Sequence, residues 1–173
     1  MKAVFLDIDG VLNREETEEM TPEGLTGVED GLVENLSMLV HKTGAKIILS
    51  SDWKEEWEAE YEDCGIDGKY LVDKLARYRI TISDKTADTS TGSNVYSMRG
   101  AGIKRYLELH PEIDFYAILD DKFYDDFDDT LSEHLVFMEN KAGFTQKYLE
   151  LALLALEGVK MTPEKPELEE TEW

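Results

Sequence analysis

Three apolar runs in this chain each end abruptly in carboxylates or hydroxyls, and that repetition restricts the fold more than any other feature. Lys2–Leu6 (KAVFL) runs into Asp7 and Asp9. Ala45–Leu49 (AKIIL) ends at Ser50, Ser51 and Asp52, and Phe115–Leu119 (FYAIL) ends at Asp120 and Asp121. Short apolar runs with polar ends read as buried strands. Between them, apolar residues recur at helical spacing. Leu32, Leu36, Leu39 and Val40 do so before Gly44, which suits a left-handed cap, and Ile103, Tyr106 and Leu107 do so before Pro111. Leu149, Ala152, Leu153 and Leu156 mark a last helix over 145–157. Strands alternating with helices predict an α/β protein of three layers, a parallel sheet covered on both faces. Ligands of such sheets bind beyond the carboxyl ends of the strands. The acidic run ends are therefore expected to meet at one edge.

The remaining segments are weaker in pattern. Leu135–Met138 (LVFM) reads as a fourth buried strand and Arg79–Ser83 (RITIS) as an exposed one, while Trp53 to Tyr61 reads as a short, solvated acidic helix. Residues 13–27 and 84–97 read as loops, the second long. One domain is expected over 1–157, followed by an acidic, loosely attached tail over 158–173. Trp53 and Trp57 suit core packing better than stacking on a base. His41, His110 and His134 lack metal-ligand spacing. Asp125, Asp126, Asp128 and Asp129 lack the glycine and closing glutamate of a calcium loop, so they read as a solvated acidic loop.

Charge and cysteine content bear on partners. Acidic side chains number 39 against 18 basic ones, a formal net charge of −21. Such a surface repels anions at long range, which argues against gripping a polynucleotide through its phosphates alone. No apolar run approaches the roughly 20 residues that cross a membrane, and the first residues do not read as a signal peptide. A single cysteine, Cys64, leaves no disulfide partner within the chain. The expected location is cytoplasmic.

Carboxylates gathered at one sheet edge cannot all stay ionised without a counter-charge. A hard cation with oxygen ligands resolves this, and Mg²⁺ favours few carboxylates plus water and substrate phosphate. Alternation along a strand puts Asp7 and Asp9 on the same side, and Gly10 permits a sharp turn beyond them. One carboxylate of such a pair can attack phosphorus while the other protonates the leaving oxygen.

Asp7-Ile8-Asp9-Gly10-Val11-Leu12-Asn13 resembles the first motif of the haloacid dehalogenase (HAD) superfamily, Ile47-Ile48-Leu49-Ser50 the second, and Ile118-Leu119-Asp120-Asp121 the fourth. The runs FLDIDGVLN, ILSSDWK, MRGAGIKRYLELHP, AILDD and HLVFMENKAGFTQ follow in an order similar to small, capless HAD domains associated with RNA-repair proteins. The resemblance implies a Rossmann-like fold with minimal or no cap, Asp7 as nucleophile through an aspartyl-phosphate, and Asp9 as general acid/base. It implies Mg²⁺ held among Asp7, Asp9, Asp120 and Asp121, and phosphate bound by Ser50 and Ser51. The third motif, a cation at the start of the preceding helix, falls on Arg99, with Lys104 as the alternative. One departure is Lys54, where that group carries arginine after the tryptophan; the charge stays but the bidentate fork is lost. The expected substrate is a phosphorylated nucleic-acid end or a small phosphomonoester. The alternative is a non-catalytic module that binds metal or a phosphorylated ligand.

Overall fold

The computed structural model describes residues 1–87 and 98–167. Five strands, β1 (Lys2–Leu6), β2 (Lys46–Leu49), β3 (Ile82–Lys85), β4 (Phe115–Asp120) and β5 (Leu135–Phe137), form one sheet in the order β3-β2-β1-β4-β5. Every neighbouring pair is parallel. The helices between them are α1 (Asp30–Thr43), α2 (Ile66–Ala76), α3 (Arg99–Leu109) and α4 (Asp129–Ser132), and α5 (Gln146–Ala155) follows the last strand.

Strand alternation sorts the core into two layers. Val4, Leu6, Ile47, Leu49, Ala117 and Leu119 face one way and meet residues of α1, α2 and α5. Ala3, Phe5, Ile48 and Ile118 face the other way, against Ile103 and Tyr106 of α3 and Leu131 of α4. Phe5 meets Tyr106 and Tyr116 edge-on, with centroids 5.8 Å apart in both pairs; such pairs contribute about 0.5–1.5 kcal/mol each beyond their buried area. This is the three-layer α/β fold expected from the run pattern.

Helix α1 ends where Gly44 adopts φ 69°, its N–H donating to the Val40 carbonyl. Several expectations change. Residues 52–63 form two short 3-10 turns, Asp52–Glu55 and Tyr61–Asp63, in place of the expected helix, while Trp53 and Trp57 are buried in the core, as expected. Helix α2 follows where no element was expected, with Leu71 and Leu75 one turn apart on its buried face. The expected strand at 79–83 lies three residues later, because Arg79 takes a left-handed φ of 59° and turns the chain into the sheet. Of the expected 84–97 loop, Asp84 and Lys85 belong to β3, and 88–97 lies outside the described residues. Two of the acidic loop residues are not merely solvated: Asp126 and Asp128 cap the starts of α3 and α4.

Between β1 and α1 the chain makes a small hairpin, with a bridge from Met20 to Thr26. Buried Asp67 on α2 clips it down, accepting from the Thr21 hydroxyl at 2.9 Å and the Glu23 N–H at 3.2 Å. The hairpin is the whole insertion between the first two strands, and no cap domain is present there. Beyond α5, Met161 is buried at the core and its N–H donates to the Glu133 carbonyl at 2.7 Å. Among the described residues no helix is long and apolar enough to cross a membrane.

Candidate active site

Register brings the site together. Leu6 pairs with Leu49 on one side and Leu119 on the other, so the next residues, Asp7, Ser50 and Asp120, come side by side as the strands leave the sheet. The Asp7 N–H still donates to the Leu119 carbonyl at 3.0 Å, and the Ser50 N–H to the Leu6 carbonyl at 3.0 Å. Backbone pairing thus holds these residues where β1, β2 and β4 end. Asp121 closes the group: ligand-capable oxygens of Asp7, Asp120 and Asp121 all lie within 4.8 Å of one another. Gly10 permits this approach. Its φ is 81°, and a Cβ there would overlap the Asp121 carboxylate.

Arg99 faces two of these carboxylates, Asp7 and Asp120. Arg99 Nη1 lies 3.2 Å from Asp7 Oδ1 and 3.2 Å from Asp120 Oδ2, while Nη2 lies 3.4 Å from the exposed Asp52. Arg99 opens α3, and the N–H groups of Gly100 and Ala101 donate to both oxygens of Asp126, which sets the helix start. The guanidinium also lies over the Tyr124 ring, 4.8 Å from its centroid.

The charge is not balanced. Burial raises the Asp7 carboxyl from 3.8 to about 6, against the pull of Arg99 and with help from Asp121. Burial and then the neighbouring Asp7 push Asp120 well above the usual carboxylate range, against Arg99. Burial disfavours the Arg99 cation, yet the charges of Asp7 and Asp120 hold its pKa above its ordinary value. A divalent cation fits this surplus of buried, oxygen-bearing negative charge, and Asp7, Asp120 and Asp121 would hold it.

Two further observations mark the site. The Ser50 hydroxyl is buried and has no hydrogen-bond partner, an arrangement that normally costs about 1–3 kcal/mol. Asp9 stands outside the cluster of three, although the sequence grouped it with the metal ligands. One of its oxygens accepts from Asn13 Nδ2 at 2.9 Å and the other from Trp53 Nε1 at 3.3 Å. It lines a cleft of about 400 Å³ together with Gly10, Asn13, Trp53, Asp121 and Lys141.

The other expected phosphate ligands have different partners. The Ser51 hydroxyl accepts from the Trp53 N–H at 3.2 Å and caps the 52–55 turn. Lys104 lies more than a turn deeper in α3 than Arg99 and its ammonium pairs with Asp128. The arginine is thus the cation of α3 that reaches the carboxylates. The sequence assigns no site role to Asn13, Trp53, Tyr124 or Lys141. Asn13, Trp53 and Lys141 lie within the motif runs, but only the fold shows that Asn13 and Trp53 contact Asp9 and that Lys141 lines the same cleft.

A family described as the HAD domain in Swiss Army Knife RNA repair proteins matches residues 3–149. The chain belongs to this family. The match spans the five strands and reaches into α5, so it includes the whole constellation at the sheet edge. No curated protein matches the chain.

Proposed function

We propose that this HAD domain is a Mg²⁺-dependent phosphomonoester hydrolase working through an aspartyl-phosphate on Asp7. The observation that carries this reading is the convergence of Asp7, Asp120 and Asp121 with the Arg99 guanidinium, beside a Ser50 hydroxyl that has no hydrogen-bond partner among the described residues. Mg²⁺ held by the three carboxylates would neutralise phosphoryl charge and keep Asp7 ionised.

An oxygen of Asp7 attacks phosphorus, forming a P–O bond as the ester P–O bond breaks. Asp9 gives its proton to the departing alkoxide. Water then attacks the phosphoryl group and loses a proton to Asp9, which releases inorganic phosphate and restores the Asp7 carboxylate. Ser50 donates to a phosphoryl oxygen, which supplies the partner its hydroxyl lacks, and Arg99 stabilises the charge that develops. Asn13 and Trp53 hold the Asp9 carboxyl by one N–H on each oxygen.

The substrate is a phosphorylated nucleic-acid end or a small phosphomonoester, met by a site with no cap domain between β1 and β2. Phosphate release from an aryl phosphate and a 3′-phosphorylated oligonucleotide tests this, each with Mg²⁺, with chelator, and with Asp7→Asn. Release that needs Mg²⁺ and disappears in the variant is expected. Mg²⁺ binding without release from either substrate would instead favour a non-catalytic binding module.

A further inference from the structure

We propose that Lys141 is a specificity-determining cation on the leaving-group side of the site, and that the substrate's leaving alcohol carries a second anionic group. The inference rests on the reading above, in which Asp9 marks the position of the leaving oxygen. Lys141 lines the same cleft as Asp9 and is exposed.

Its backbone is the stronger clue. Lys141 takes φ 52°, a left-handed conformation that costs an L-residue energy and favours glycine or asparagine. Such strain persists only where the surroundings over-determine it. Here they do. The Met138 N–H donates to the Asp120 carbonyl at 3.0 Å, the Glu139 N–H to the Tyr148 hydroxyl at 3.0 Å, and the Phe144 N–H to the Val11 carbonyl at 2.7 Å. The loop bearing Lys141 is thus tied to the end of β4 at Asp120 and to the turn that follows Asp7 and Asp9, at Val11.

The cleft's other cation is already engaged. Arg14 binds Glu29 through Nε at 2.9 Å and Nη2 at 2.7 Å. Lys141 has no ion pair with any described residue. On a chain of net charge −21, an unpaired ammonium beside the acid/base residue, held in an unfavourable conformation, suits an anion delivered by the substrate. A compact ammonium also suits a phosphate or carboxylate met as a point charge. The competing account is that Lys141 only offsets the charge of Asp9 and Asp121. That account predicts an equal effect on every substrate.

The test compares kcat/KM for alkanediol bisphosphates of increasing chain length with that for the matching alkyl monophosphates, in wild type and Lys141→Gln. We expect wild type to prefer one bisphosphate, and the variant to lower the bisphosphate-to-monophosphate ratio about five- to tenfold, less at high salt. Lys141→Gly should lower the same ratio while raising Tm by about 2–4 °C as the backbone strain is relieved, which separates lost recognition from lost folding. An unchanged ratio in both variants, with wild type active, overturns the role of Lys141 and leaves the phosphatase reading standing. Wild type that releases phosphate from no member of either series overturns both.

Discussion

Two buried cations in this protein each sit between acidic side chains, with opposite electrostatic results. Lys74 on α2 lies 2.8 Å from Glu19 and 3.2 Å from Asp30; its side chain is 6% exposed, but those of its partners are 40% and 61% exposed. The acids stay hydrated on their outer sides. Hydrogen bonds from Tyr78 and Lys74 hold Asp30 below its ordinary pKa, and bonds to Glu19 and Asp30 raise Lys74 despite its burial. At the sheet edge Arg99 is 10% exposed, and its partners Asp7 and Asp120 are 8% and 0% exposed. There both carboxyls rise. The first arrangement fastens the 13–27 hairpin and α1 to α2 and is complete in itself. The second holds more negative charge than its own arginine can balance. Burial of the acids, not the presence of an ion pair, distinguishes a structural clamp from a site with room for a further cation.

The sharpest way to break this comparison is to remove one charge from each region. Asp7→Asn should lower phosphate release by about a thousandfold or more, since the proposed nucleophile is lost, while the variant remains folded. Lys74→Met should do the reverse. Removing a buried cation from between two acids costs about 2–3 kcal/mol here, less than for fully buried partners, and should lower Tm by about 5–10 °C with kcat largely kept. Thermal melts beside steady-state assays read both. A Lys74→Met protein that melts normally but has lost activity would erase the distinction.

A smaller effect should appear in the pH dependence of the metal-free protein. Folding raises the Asp7 carboxyl from 3.8 to about 6, so the native state favours its protonated form. That contribution to stability is complete below about pH 4 and is lost as pH rises through about 6. In chelator, Asp7→Asn should therefore match wild type near pH 4 and out-melt it by several degrees above pH 6. Mg²⁺ should narrow or reverse the gap above pH 6, because it stabilises only a native state that binds it. A wild-type advantage in chelator at pH 7 would mean that Arg99 already balances the cluster.

The two regions also differ in how far they could be read from sequence. The sheet-edge residues follow strongly apolar runs, and parallel register then aligns Asp7, Ser50 and Asp120. Their grouping needed only strand ends. Arg99 was identified through resemblance, and its reach to Asp7 and Asp120 depends on the Asp126 cap. The Lys74 clamp was invisible, because its partners lie far away in the chain, at Glu19 and Asp30. The resemblance sets Asp9 among the metal ligands, and strand alternation would put it on the same side as Asp7. The chain turns at Ile8 instead, with the Val11 and Leu12 N–H groups both donating to its carbonyl, and Asp9 meets Trp53 and Asn13. Side-chain destinations set by a turn, or by contacts distant in sequence, leave no periodic signal.

The finest contrast lies between two buried hydroxyls. Thr21 is fully engaged: it donates to Asp67 at 2.9 Å and accepts from the Leu25 N–H at 3.0 Å. Ser50 is buried with no partner. Thr21→Val, similar in shape, leaves the buried Asp67 short of a donor and should cost about 1–2 kcal/mol, a Tm drop of about 2–6 °C, with little change in kcat. Ser50→Ala removes a polar atom that gains nothing from the fold, so Tm should hold or rise by a degree or two. Its phosphate release should nevertheless fall about tenfold, because in the proposed mechanism the phosphoryl group supplies the hydroxyl's partner. Should Ser50→Ala melt lower than Thr21→Val and keep full activity, the unpartnered hydroxyl would be an ordinary part of the core, and the phosphoryl group would need another donor at the end of β2.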